Sequence, residues 1–220
     1  MTRTVVIGGV GPTLGESLAR EFATEGDNVA LWARSTTVTA DLAERLSADT
    51  PGSAIAVQTD VTDTNAVATA VDQVHKAFGP VDVYIHNVHS DTAWTGPLTD
   101  DPGDLATYFE TTGYGLAVVV DVLLEDLFST DGTVIYHTTD DLRWISRAMA
   151  EQPASEGVHV ARTVIDGEID GPAAPASLSA AERVDPDALT AECRRLVEQD
   201  RSVWSSDVDF RPWGDDSFRM

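Results

Sequence analysis

The stretch TVVIGGVGPTLGESLAREF, residues 4–22, reads as a buried strand, a glycine turn and the opening of a helix. TVVI carries β-branched residues without polar alternation, the pattern of a strand covered on both faces. Leu14, Leu18 and Phe22 then recur at i, i+4 and i+8, with Ala19 and Ala23 beside them, and Gly26 closes the helix. Between the two, Gly9, Gly11 and Gly15 allow a sharp turn and a close approach to the backbone. The helix start then offers free N–H groups and the positive end of its dipole to an anion. The spacing is G-x-G-x-x-x-G rather than the common dinucleotide pattern G-x-G-x-x-G. No Gly-Lys-Ser/Thr follows, which excludes a P-loop.

The same unit repeats down the chain. NVALWA (28–33), SAIAVQ (53–58), VDVYIHN (81–87), GTVIYH (132–137) and VHVARTVI (158–165) are strand-like. Amphipathic helices lie between them, marked by Val38, Leu42 and Leu46 and then by Val67, Val71, Val74 and Phe78. A polar loop (89–103) precedes a helix near 104–110 and a longer one near 114–128, and LRWISRAMAEQ (142–152) and PDALTAECRRLVEQ (186–199) add two more. Strands alternating with helices predict an α/β fold: a Rossmann-type, doubly wound parallel sheet. It forms a single domain over residues 1–220, with the nucleotide-binding half at roughly 1–90. Ligand is expected at the carboxyl ends of the strands.

Charge sets the partners. The 220 residues carry 37 Asp and Glu against 14 Lys and Arg, a net charge of −23, and the only lysine is Lys76. Such a surface repels nucleic acid and anionic membranes, so neither is an expected partner. Its acidity fits a halophilic cytoplasm, where salt screens the self-repulsion. The lone Cys193 rules out an internal disulfide, in keeping with a reducing, cytoplasmic location. No signal peptide is evident, and LAVVVDVLL (116–124) is too short to span a bilayer. No metal site is expected, because His86 and His89 lack a clear third ligand.

These features together resemble the short-chain dehydrogenase/reductase family. Of its loop pattern T-G-x-x-x-G-x-G, Gly9 and Gly15 match, Gly8 stands for the threonine and Thr13 for the middle glycine. Asp60-Val61 matches the Asp-Val that holds adenine, Asn87 in HNVH (86–89) matches the N-N-A-G motif, and DRSVWSSDVDFRPW (200–213) is similar to the ending of a bacterial branch. The resemblance implies a nicotinamide dinucleotide bound by Gly9, Gly11, Thr13, Leu14, Gly15, Arg34, Ser35, Asp60, Val61, Asn87, Val88, His89 and Ile169. A small carbonyl or alcohol ligand would lie beside it. NADP is favoured over NAD, since LWARS (31–35) offers Arg34 to a 2′-phosphate where a NAD enzyme carries an acid. Thr13 is expected to crowd the pyrophosphate. Asp166, Gly167 and Ile169 match the family's turn against the nicotinamide carboxamide.

The resemblance also implies a catalytic tyrosine, a lysine four residues later, a serine and an asparagine. Thr139 takes the serine position and Thr112 the asparagine's, and TTDDLRWISRAMAEQ (138–152) holds neither tyrosine nor lysine. The tyrosines are Tyr84, Tyr108, Tyr114 and Tyr136, and none forms a Tyr-x-x-x-Lys pair. Of the substitutes at hand, Tyr136 and His137 point to opposite faces of their strand, so at most one reaches the cleft. Asp140 reads as a helix cap, and Trp94 as a packing residue. Two functions follow: an oxidoreductase relative with lost or rerouted chemistry, or a non-catalytic nucleotide-sensing or interaction module on the same fold. The apolar stripe from Leu116 to Phe128 suggests a homo-oligomer formed through the long helix.

Overall fold

The computed structural model describes residues 2–90, 101–138 and 153–214. Among these, one seven-stranded sheet carries the order β3-β2-β1-β4-β5-β6-β9, with every neighbouring pair parallel. Its strands are β1 (Thr4–Gly8), β2 (Asn28–Ala33), β3 (Ala54–Gln58), β4 (Val83–His86), β5 (Thr133–Thr138), β6 (His159–Ile165) and β9 (Asp207–Phe210). A separate two-stranded ladder joins β7 (Glu168–Ile169) to β8 (Arg183–Val184). The helices are α1 (Leu14–Thr24), α2 (Thr37–Asp49), α3 (Thr64–Phe78), α4 (Pro102–Phe109), α5 (Gly115–Thr130) and α6 (Pro186–Val197).

Strand alternation sorts the core into two layers. Val5 and Ile7 on β1, and Val29 and Leu31 on β2, face α1, α2 and α6 through Leu18, Phe22, Leu42, Leu46, Leu189 and Cys193. Val6, Ala30, Trp32 and Tyr84 face the opposite way, onto Val67, Val71 and Val74 of α3 and Leu116, Val119, Leu123 and Leu127 of α5. Buried on both faces, the central strands need no polar alternation, as the sequence predicts. The strand order reverses direction between β1 and β4, and the glycine loop after β1 lies at that switch.

Three elements depart from the reading of the sequence. The two middle helices form one run, because a π-helical turn (Glu110–Tyr114) joins α4 to α5. The tail contributes β9, which extends the sheet beside β6. Most of the α5 stripe is core, with Leu123 and Leu127 fully buried, whereas Phe128 is 41% exposed. The segment LRWISRAMAEQ, with Thr139, Asp140, Asp141 and Trp94, lies outside the described residues.

Candidate functional site

Three strands hold the glycine loop. Gly9 N and Val10 N both donate to the Trp32 carbonyl, at 3.0 and 3.1 Å, while Asn87 N donates to the Gly8 carbonyl at 2.9 Å. The Asn87 side chain closes the arrangement by donating to the Gly9 carbonyl at 2.8 Å. Gly9 has φ +82°, and a Cβ there would lie 2.6 Å from the Asn87 carbonyl oxygen. A Cβ on Gly15 would lie 2.7 Å from Val10 Cα. Gly11 differs, since nothing stands within 4 Å of a Cβ built on it. Two glycines are thus demanded by the protein's own packing, and the third leaves open space at the start of α1. Thr13, the N-cap of α1, makes no side-chain cap bond. Its side chain lies against the opposite wall: a Cβ on Gly171 would come within 2.8 Å of Thr13 Cγ2 and 3.0 Å of its Oγ1. Gly171 therefore makes the room that Thr13 fills.

The loop forms the middle of a cleft of about 1290 Å³. Gly9, Gly11, Thr13, Leu14, Gly15, Arg34, Ser35, Asp60, Val61, Asn87, Val88, His89 and Ile169 all line it, and Gly167 joins them, whereas Asp166 of the same turn does not line it and pairs with Arg211 at 2.8 Å. At one end Asp60 accepts from Thr62 N at 3.0 Å and from the Thr62 hydroxyl at 2.7 Å. The Thr62 hydroxyl and amide, helped by the Arg34 charge, hold the Asp60 carboxyl below its usual range. Arg34 is exposed, and Gln58 Nε2 donates to its carbonyl at 3.0 Å. Every other described arginine has an acidic partner within 4 Å; Arg34 has none among the described residues.

At the other end the cleft meets His89, His137, Thr138, Ile165 and Gly167. His137 lines it and Tyr136, on the opposite face of β5, does not, in line with strand alternation. Beneath the cleft floor the Tyr84 hydroxyl meets His86 Nδ1 at 2.6 Å, both side chains being fully buried. Burial brings the His86 imidazole down to about 3 and pushes the Tyr84 phenol up. Thr112 donates its hydroxyl to the Tyr108 carbonyl at 2.6 Å rather than facing the cleft. None of the four tyrosines lines the cleft, and neither does Lys76, which sits in the last turn of α3.

Some cleft residues escape sequence reasoning. Among the described residues, Trp32 Nε1, Thr39 Oγ1 and Thr59 Oγ1 are buried in its walls without hydrogen-bond partners, as is Nε2 of His137, a residue the sequence does single out. Trp32 sits in a strand run, where the sequence signals core and nothing more. Among the described residues no cluster of three metal-ligating side chains occurs, and no helix is long and apolar enough to cross a membrane.

The short chain dehydrogenase family model matches residues 3–136, over half of the chain. The chain belongs to the short-chain dehydrogenase family. Within that family it is similar to meso-2,3-butanediol dehydrogenase of Serratia marcescens, 36% identical over 88 residues, which cover 39% of this chain and 33% of that one. The matched stretches span about a third of the length of such curated relatives. An alcohol dehydrogenase of the archaeon Thermococcus sibiricus, solved with 5-hydroxy-NADP, shares the fold at a TM-score of 0.85 and 20% identity, covering 98% of this chain and 99% of that one. L-Sorbose reductase of Gluconobacter frateurii, solved with NADPH and L-sorbose, follows at 0.84 and 16%, covering 97% and 96%.

Proposed function

We propose that this chain is an NADP(H)-binding member of the short-chain dehydrogenase family that has kept the dinucleotide site and lost the family's tyrosine–lysine proton donor. The observation that carries this reading is the cleft itself: the glycine turn, Arg34 and Asp60 line it, and no phenol or amine does. Its walls fit a dinucleotide. Gly11 leaves the start of α1 open to a pyrophosphate, and Trp32 Nε1, Thr39 Oγ1 and Thr59 Oγ1 are buried polar atoms lacking a partner among the described residues, beside Arg34 and Asp60. Gly9, Gly11, Thr13, Leu14 and Gly15 would hold the pyrophosphate, Asp60 and Val61 the adenosine, and Asn87, Val88, His89 and Ile169 the nicotinamide side. Arg34, with Ser35, would meet the 2′-phosphate. The structure neighbours named above carry NADP-type ligands, which supports the same choice of dinucleotide.

When bound, NADPH supplies a hydride. The chain's part in ordinary carbonyl reduction would be to hand a proton to the developing alkoxide. Thr139 keeps a hydroxyl at the serine position, but a hydroxyl without a tuned acid beside it is a poor donor. Binding of the nucleotide is accordingly the function the residues serve best, with the cleft used for sensing or for an interaction that depends on nucleotide. NADPH fluorescence titrations at about 2 M KCl test it. Wild type binds NADPH more tightly than NADH, and Arg34→Gln removes roughly ten-fold of that preference without weakening NADH. Equal affinities in wild type, or a preference untouched by Arg34→Gln, refute the assignment.

A further inference from the structure

His137 is an unusual occupant of the cleft wall. It is 6% exposed, and its two ring nitrogens have different fates. Nδ1 lies 2.5 Å from the Thr163 hydroxyl on the neighbouring strand β6. That hydroxyl also contacts the Tyr136 carbonyl at 3.3 Å. A carbonyl only accepts, so with the hydroxyl proton on Tyr136 the Thr163 oxygen accepts from His137 Nδ1–H. In that tautomer Nε2 keeps its lone pair. Among the described residues Nε2 is buried without a hydrogen-bond partner, on a residue that lines the cleft. Leaving such an atom unpaired is costly, and a ligand donor would relieve that cost.

The cleft's layout says which part of a ligand would reach it. Arg34 and Asp60 flank the β2–β3 side of the glycine loop, whereas His137 lies on the β5–β6 side with Gly167 and Ile169. A dinucleotide with its 2′-phosphate on Arg34 and its pyrophosphate over the loop would therefore present its far half to His137. We propose that His137 is a positioning residue whose Nε2 accepts a hydrogen bond from an N–H or O–H donor at the reacting end of the bound ligand. This rests on the dinucleotide reading above. The charge state suits the role: burial, and then the nearby His89, hold the imidazole down at about 4, so it is neutral at pH 7 and its lone pair is available. The same property makes it a poor proton donor, consistent with positioning rather than with replacement of the missing tyrosine.

The test is nitrogen NMR on protein labelled at histidine, with NADP+ and 2′-phospho-ADP-ribose, which lacks nicotinamide, as probes. Occupancy is established in each case by calorimetry. An upfield shift of the His137 Nε2 resonance with NADP+, and none with 2′-phospho-ADP-ribose, supports the proposal and identifies the nicotinamide carboxamide as donor. A shift that comes only when cyclohexanol is added to the NADP+-saturated protein supports it with an alcohol hydroxyl as donor. A resonance unmoved in all these states, or moved equally by 2′-phospho-ADP-ribose, overturns it. His137→Leu should weaken NADP+ roughly five- to ten-fold and leave 2′-phospho-ADP-ribose affinity unchanged. If NADP+ itself fails to bind, the dinucleotide reading has failed first, and calorimetry shows that separately.

Discussion

Gly9 and Gly11 stand two residues apart and answer to different demands. Gly9 is fixed by φ +82° and by the Asn87 carbonyl 2.6 Å from any Cβ, whereas Gly11 borders open space. Gly9→Ala should cost about 1–3 kcal/mol of stability from backbone strain, plus the contact. Gly11→Ala should leave the urea midpoint unchanged and weaken nucleotide binding. Equal midpoints for the two variants would contradict this division. The glycines, Arg34 and Asp60 are legible in the sequence because each sits at a strand end, where spacing alone fixes its place. Trp32, Thr39 and Thr59 are not, and of His137 only its face of the strand is, because whether a buried polar atom finds a partner depends on neighbours that only the folded sheet supplies. Thr13 shows the same limit, since that Gly171 lies opposite it is visible only in the folded chain.

Among the elements, β9 was the least readable. DVDF places two acids in four residues, and its alternation is that of an edge strand with limited cover. Its energetic weight is larger than its composition suggests. Arg162 on β6 is wholly buried, and its Nε donates to Asp207 Oδ1 of β9 at 2.5 Å. Asp207→Ala strands that guanidinium and should cost about 3 kcal/mol. The double variant Arg162→Met, Asp207→Ala should recover most of the loss, because an apolar side chain needs no partner there. Urea unfolding of the three variants checks it, and a double variant no more stable than Asp207→Ala would contradict it. The described helices α1, α2, α3, α5 and α6 follow their periodicity, and LRWISRAMAEQ lies outside the described residues. The π-turn is not legible, since it breaks the 3.6-residue repeat and leaves a gap between two separate helices.

At the scale of the molecule, two electrostatic effects compete as conditions change. His86 and His137 are held down at about 3 and about 4 by burial, against an ordinary value of 6.5. The unfolded chain therefore takes up protons below pH 6.5 that the folded one refuses. Stability falls as pH drops from about 6.5 towards 4, by on the order of 3 kcal/mol for His137 alone. Most carboxylates stay ionised between pH 7 and 5, so relief of their repulsion does not mask the loss in that window. Chemical denaturation at the two pH values should show it, and His137→Gln should flatten the slope. With a net charge of −23, the melting temperature should also climb as KCl rises from about 0.1 to 2 M, through screening. A melting temperature indifferent to salt would remove the case for halophilic adaptation. The central claim, that the cleft still holds a nicotinamide dinucleotide, is tested most directly by calorimetric titration of the wild-type chain with NADPH at high salt. Saturable binding of one NADPH per chain is predicted, and the absence of any binding heat, together with no change in melting temperature, would contradict it.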